Sequence, residues 1–250
     1  MAEPVKNELV LYCADPALQP EAAALAARLG LPLAECLPED APALALGPDG
    51  LALCRGELRV RGDYARMLPR LRPQNLRGEL LVRAVKGRGA DRPQRIVDAT
   101  AGLGEDALLL AAAGHTVQLF ERNPVIAALL RDTLRRAAQE SALADVVARM
   151  TLTEGDSAEG LPQLDPPPDV VVLDPMFPER RKSGLIGKKL QLLQVLEAPC
   201  ADEAALLQAA VDAHPGKIII KRPLKGPYLA GRKPGYTLSG KAIRYDVIAL

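Results

Sequence analysis

The chain is poor in the residues on which several common chemistries depend. Its four cysteines, Cys13, Cys36, Cys54 and Cys200, are widely spaced, with no CxxC pair and no histidine cluster beside them. That argues against a zinc site or a disulfide framework and for reduced thiols. Only two histidines occur, His115 and His214, and no serine, cysteine or carboxylate pattern sets either one in a nucleophile–base triad. No apolar stretch approaches the roughly 18 residues that span a bilayer. The opening Met1-Ala2-Glu3-Pro4 has no basic segment leading into an apolar run, so a soluble cytoplasmic protein without a metal is expected. Internal repeats are absent, and the only biased tract is the short run Pro166–Pro168.

What remains is a chain of 250 residues, enough for one large domain with a small companion. Its formal net charge of +1 hides an uneven distribution. Residues 55–95 hold twelve Lys/Arg against four Asp/Glu, residues 179–190 five against one, and residues 217–250 eight against one, which leaves the rest of the chain acidic. Such bipolarity suits a molecule that offers one face to phosphates, although basic loops also serve solubility alone.

Patterning divides the chain into three stretches. Residues 1–61 read as a small α/β unit: an apolar run Leu9–Cys13, a helical pattern Pro20–Leu29, and strands around Leu44–Leu46, Leu51–Cys54 and Leu58–Val60, punctuated by Gly30, Pro48, Asp49 and Gly50. Residues 62–94 form a basic linker with a predicted helix Arg77–Lys86. From residue 95 to 250, β-branched runs at Ile96–Val97, Thr116–Phe120, Met150–Thr153, Val170–Leu173 and Ile218–Ile220 alternate with helical patterns, notably Ala107–Ala113, Pro124–Ala138 and Lys188–Leu196. Apolar strands separated by helices predict an α/β, Rossmann-like domain, a parallel sheet covered on both faces. Tyr236–Leu238 and Ile243–Ala249 predict a closing antiparallel hairpin.

The first strand of that domain runs into Asp98-Ala99-Thr100-Ala101-Gly102-Leu103-Gly104-Glu105-Asp106. In open α/β sheets a ligand lies beside this turn at the carboxyl ends of the strands. Gly102 and Gly104 let backbone pass close to it, and Glu121, ending the second strand, suits ribose hydroxyls. The same residues satisfy the loose dinucleotide pattern GxGxxG/A through Gly102, Gly104 and Ala107. Glu105 and Asp106 weigh against that reading, since a carboxylate and a phosphate about 4 Å apart repel by roughly 4 kcal/mol at an effective dielectric of about 20. S-adenosylmethionine carries no phosphate, and its cationic sulfonium and amino group are helped by nearby carboxylates, so it is the expected cofactor.

After the fourth strand comes Asp174-Pro175-Met176-Phe177-Pro178. An acid, a proline and an aromatic here resemble the (Asp/Asn)-Pro-Pro-(Tyr/Phe) motif of methyltransferases that act on planar amino groups. The chemical need is plain. An amine conjugated to an aromatic ring is a weak nucleophile until acceptors hold its hydrogens, and Asp174 with the Pro175 carbonyl supplies two. Phe177 would stack on the base. Met176 stands where the general motif has its second proline.

Taken with Glu121-Arg122-Asn123-Pro124-Val125, Lys182-Ser183 and Lys221-Arg222-Pro223, the segments Asp98–Gly104 and Leu173–Pro178 are similar to the RsmJ family, bacterial 16S ribosomal RNA (guanine-N2)-methyltransferases. The resemblance covers residues 62–250 well and the small N-terminal unit mainly in its order of elements. It implies a Rossmann-like S-adenosylmethionine-dependent methyltransferase core acting on a guanine of small-subunit RNA, either free 16S ribosomal RNA or the small ribosomal subunit. It also implies cofactor contacts at Asp98, Glu105, Asp106, Glu121, Arg122, Asp156, Ser157 and Asp174. Glu105 stands where the family usually has Arg. The basic residues Arg180, Arg181 and Lys182 after the catalytic loop, and Lys221 and Arg222 after the next strand, are expected to hold RNA phosphates. Three other readings remain open: an adenine-N6 or other amino-group methyltransferase, an NAD-dependent oxidoreductase, and a non-catalytic RNA-binding module.

Overall fold

The computed structural model of the chain describes residues 9–87, 92–175, 192–193, 196 and 202–250. Most of the predicted helix Lys188–Leu196 lies outside the described residues.

The N-terminal residues form a five-stranded sheet. Strands β1 (Val10–Cys13), β2 (Leu33–Ala34), β3 (Ala43–Gly47), β4 (Gly50–Arg55) and β5 (Leu58–Val60) are arranged in the order β2-β1-β3-β4-β5. The parallel part, β2-β1-β3, is bridged by α1 (Gln19–Leu29), which ends on Gly30 at φ 64° with its N–H returned to Ala26 and Ala27. The two-residue strand β2 was not legible in the sequence.

Next come three short helical segments, Tyr64–Met67, α2 (Leu68–Leu71) and α3 (Pro73–Leu76), and then α4 (Leu80–Lys86). The last begins three residues later than the predicted Arg77. The Gly78 amide closes a turn on the Asn75 carbonyl, and Glu79 is extended at φ −63°, ψ 126°, with its carboxylate held by Arg70 at 2.8 Å.

A seven-stranded sheet follows. Its strands are β6 (Arg95–Asp98), β7 (Thr116–Glu121), β8 (Met150–Glu154), β9 (Val170–Leu173), β10 (Lys217–Pro223), β11 (Tyr236–Ser239) and β12 (Ile243–Ala249). They lie in the order β11-β12-β10-β9-β6-β7-β8, and only β12 runs antiparallel to its neighbours. Helices α5 (Glu105–Ala112), α6 (Pro124–Ala137), α7 (Ala144–Val147), α8 (Ser157–Gly160) and α9 (Glu203–Asp212) fill the crossovers. The alternation of buried side chains explains the two covered faces. Ile96, Val170, Val172 and Ile219 pack toward α4 and α5, whereas Val97, Val171, Leu173, Ile218 and Ile220 pack toward α9. Helix α9 is alanine-rich and was not anticipated.

The five-stranded sheet packs onto α6. Leu11, Leu44, Leu51 and Leu53 share a core with Val125, Ala128 and Leu129 of that helix. Asp132 of α6 accepts the Leu51 amide at 3.0 Å, and Arg136 donates to the Gly62 carbonyl at 2.7 Å.

From β6 the sheet is extended through β7 and β8 on one side, then the chain returns to add β9 and β10 on the other. The carboxyl ends of β6 and β9 therefore flank a topological switch point, where open α/β sheets bind their ligands.

Candidate functional site

Five side chains lie at or near this edge: Asp98 and Glu121 end β6 and β7, Asp156 and Asp174 follow β8 and β9, and Lys221 lies near the end of β10.

The first turn is braced from behind. Glu121 is 4% exposed, and its two oxygens accept the Gly102 amide at 2.9 Å and the Asn123 amide at 2.8 Å. Asn123 caps α6 in turn, accepting from Val125 and Ile126. Glu121 thus shapes the turn from behind. Gly102, at φ 56°, has open space where a Cβ would stand. Gly104 differs. At φ 75°, its missing Cβ would strike the Tyr64 hydroxyl and lie 2.9 Å from Leu130 Cδ1. Gly104 is therefore also required by packing beneath the turn, where the buried Tyr64 donates to the Leu103 carbonyl at 3.0 Å.

Asp98 is buried at 3% exposure, and burial, then repulsion from Asp106, pushes its carboxyl up to about 7. The Thr100 amide donates to it at 3.2 Å. Thr100 has a second role that the sequence did not reveal, since its Oγ1 accepts the Asp174 amide at 2.6 Å and so ties the end of β9 to the first turn. Pro175 is buried directly behind Asp174. Met176, Phe177, Pro178, Arg180, Arg181 and Lys182 lie outside the described residues.

Lys221 bridges two of the carboxylates. Its Nζ is 2.7 Å from Asp106 Oδ2 and 2.8 Å from Asp174 Oδ2. Burial alone would favour the neutral amine, but Asp106 and Asp174 hold the ammonium far above the ordinary lysine value. The Asp174 side chain keeps 39% of its surface open, yet burial of its carboxyl raises it above the usual aspartate value, Lys221 draws it down and Asp106 pushes it up. Tyr245, opposite Lys221 in the β10–β12 register, is buried against the pair.

Two residues expected to hold RNA phosphates have partners within the fold. Lys221 is paired with Asp106 and Asp174. Arg222, 1% exposed, points to the other face of the sheet strand, donating to the Pro227 carbonyl at 2.9 Å and pairing with Glu203 of α9 at 3.1 Å. A guanidinium so enclosed meets no phosphate. At the α5 N-terminus Asp106 carries a cation beside it, while Glu105 is exposed at the first helical position.

The remaining expected residues are found as follows. Arg122 is exposed just beyond β7. Asp156 caps α8, accepting the Ala158 amide at 2.8 Å, and Ser157 is buried in its first turn. His115 is half of a structural contact, its Nδ1 accepting the Gln94 amide at 3.1 Å. Among the described residues no group of three or more His, Cys, Asp or Glu side chains is arranged to hold a metal ion, and no helix is long and apolar enough to cross a membrane.

An open glycine turn and acids at or just after the ends of β6, β7 and β8 fit a ligand with hydroxyls and positive charge, as S-adenosylmethionine has. Comparison with known proteins agrees. The family described as putative SAM-dependent methyltransferase matches residues 25–249. The chain is 42% identical over 238 residues to ribosomal RNA small subunit methyltransferase J of Thioalkalivibrio sulfidiphilus, covering 92% of this chain and 93% of that one. It is 45% identical over 248 residues to the protein of the same name from Alkalilimnicola ehrlichii, covering 93% and 92%. The crystal structure of a SAM-dependent methyltransferase from Neisseria gonorrhoeae superposes with a TM-score of 0.77 at 31% identity, covering 96% of this chain and 95% of that one.

Proposed function

Because the chain belongs to the ribosomal RNA small subunit methyltransferase J family of S-adenosylmethionine-dependent enzymes, we propose that it methylates the exocyclic N2 amine of a guanine in 16S ribosomal RNA. The observation that carries this reading is Asp174, a half-open carboxylate at the switch point, anchored through its own amide to Thr100 and ion-paired to Lys221.

Asp98, Gly102, Glu121, Asp156 and Ser157 would hold S-adenosylmethionine, whose sulfonium would give up its methyl group to the amine as the S–CH3 bond breaks and leave as a neutral thioether. Asp174 accepts one N2–H hydrogen bond and the Pro175 carbonyl the other, which turns the nitrogen lone pair out of conjugation with the ring. As the amine gains its methyl group it sheds a proton, which the Asp174 carboxylate receives. Phe177 stacks on the base and holds its plane. No metal and no covalent enzyme intermediate is required.

With Lys221 and Arg222 removed from the RNA surface, phosphate contacts fall to Arg180, Arg181 and Lys182 and to the exposed Lys225, Arg232, Lys233 and Lys241. Lys225 and Lys241 share one corner of the sheet edge, since the Leu224 amide donates to the Ala242 carbonyl at 3.0 Å. Buried Arg244 stiffens that corner by donating to the carbonyls of Pro223, Leu224 and Gly226 at 2.8 to 2.9 Å.

The test is methyl transfer from labelled S-adenosylmethionine to naked 16S RNA and to small subunits, both from a strain lacking the enzyme, followed by mass mapping. One N2-methylguanine is expected. Methylation at adenine N6 would redirect the reading to the other amino-group chemistry.

A further inference from the structure

The Asp106–Lys221–Asp174 chain links α5, β10 and β9 across the cleft floor, and its geometry is more than neutralisation demands. A single contact would satisfy the Lys221 charge; two at 2.7 and 2.8 Å fix the ammonium between them. Asp106 sits in the first turn of α5, so Lys221 is tied to that helix as well as to Asp174. We propose that Lys221 is a positioning residue for methyl transfer: held by Asp106, it fixes the Asp174 carboxylate in the orientation and the ionised state that accepting an N–H from the target amine requires.

The inference rests on Asp174 being the amine acceptor. The ionised form matters because the carboxylate also receives the proton that the amine sheds, and protonation turns one of its oxygens into a donor. Among the described residues, the charged or titratable groups influencing Asp174 are Lys221 and Arg222 from β10, Asp106 from α5, and Asp98 from β6, with Tyr245 of β12 beside Lys221. Burial, Asp98 and Asp106 all favour the protonated form of Asp174; Lys221 is the closest group favouring the ionised one. The Lys221 contact is made to Oδ2 of that carboxylate.

The test is the pH dependence of the single-turnover rate at saturating S-adenosylmethionine and small subunits, for wild type, Lys221→Met, Lys221→Arg and Asp174→Ala. Lys221→Met is expected to raise the acid limb by at least about one pH unit, the usual effect of losing an adjacent opposite charge, with activity partly restored in alkali. Lys221→Arg should return the limb toward its wild-type position. A Lys221→Met enzyme that is slowed equally at every pH, or only melts earlier, would overturn the proposal, leaving Lys221 a structural ion pair. Asp174→Ala, which removes the acceptor, separates the two readings. If it is inactive while the Lys221→Met limb does not move, only the role of Lys221 fails; if it keeps full turnover, the acceptor reading fails and the Lys221 proposal falls with it.

Discussion

The Asp174 amide donates to Thr100 Oγ1 at 2.6 Å, joining the end of β9 to the turn that follows β6. The two halves of the proposed site, cofactor turn and amine acceptor, are thus tied by one bond from a residue that the sequence did not single out. Thr100→Val keeps the shape and leaves that amide without its acceptor. An unsatisfied buried donor costs about 1 to 3 kcal/mol, so denaturant unfolding should show a loss in that range, with turnover falling more than cofactor affinity. Unchanged stability and turnover would mean the link is incidental.

The two glycines of the turn should separate cleanly. Gly104→Ala places a methyl group against Tyr64 and Leu130 in a left-handed backbone, and thermal melting should drop sharply. Gly102→Ala meets open space, so it should cost only the roughly 1 to 2 kcal/mol of left-handed strain and show its main effect as weaker S-adenosylmethionine binding by calorimetry.

Glu121→Ala removes the carboxylate that accepts the Gly102 and Asn123 amides. Cofactor affinity should fall by roughly 1.5 to 3 kcal/mol, the range for hydrogen bonds to a charged group. An unaltered dissociation constant would take Glu121 out of the site.

Asp98 gives a pH signature. Its folded carboxyl is pushed up to about 7 from an ordinary 3.8, so between those values the folded chain retains a proton that the unfolded chain has released. Stability contributed by this group therefore falls as pH rises through that window and is flat above it. Asp98→Asn removes the effect. Relative to wild type, the variant should gain stability progressively from about pH 4 to 7, by a few kcal/mol at about 1.4 kcal/mol per unit. A pH-independent difference would show that Asp98 is ionised in the fold.

The basic surface makes opposite demands on neighbouring residues. Lys225→Glu and Lys241→Glu should weaken RNA binding and flatten its salt dependence, by about one unit of slope for each phosphate no longer neutralised. Arg222→Met should lower melting temperature and leave the salt slope alone, because the guanidinium is enclosed with Glu203. A reduced slope for Arg222→Met would restore it to the RNA surface.

Much of this was legible in the sequence for simple reasons. β-branched runs such as Val170–Leu173 can only be buried strands, and a strand that ends in Asp174-Pro175 must present that acid at the sheet edge. Likewise Glu121 closes Thr116–Phe120. What stayed hidden depends on partners distant in the chain. Lys221-Arg222 after a strand reads as a phosphate clamp until β10 is paired with β9 on one side and β12 on the other, which turns Lys221 to Asp174 and Arg222 to the opposite face, where the unanticipated α9 supplies Glu203. The requirement at Gly104 was equally invisible, because Tyr64 lies far upstream in a stretch that reads as linker.

The most direct test is single-turnover methyl transfer by Asp174→Ala at saturating S-adenosylmethionine and small subunits, with binding of both measured alongside. Loss of a preorganised acceptor predicts turnover lower by roughly a hundredfold to a thousandfold, with the fold intact and RNA affinity largely kept. Near-normal turnover in that variant would contradict the assignment of Asp174 as the group that activates the amine.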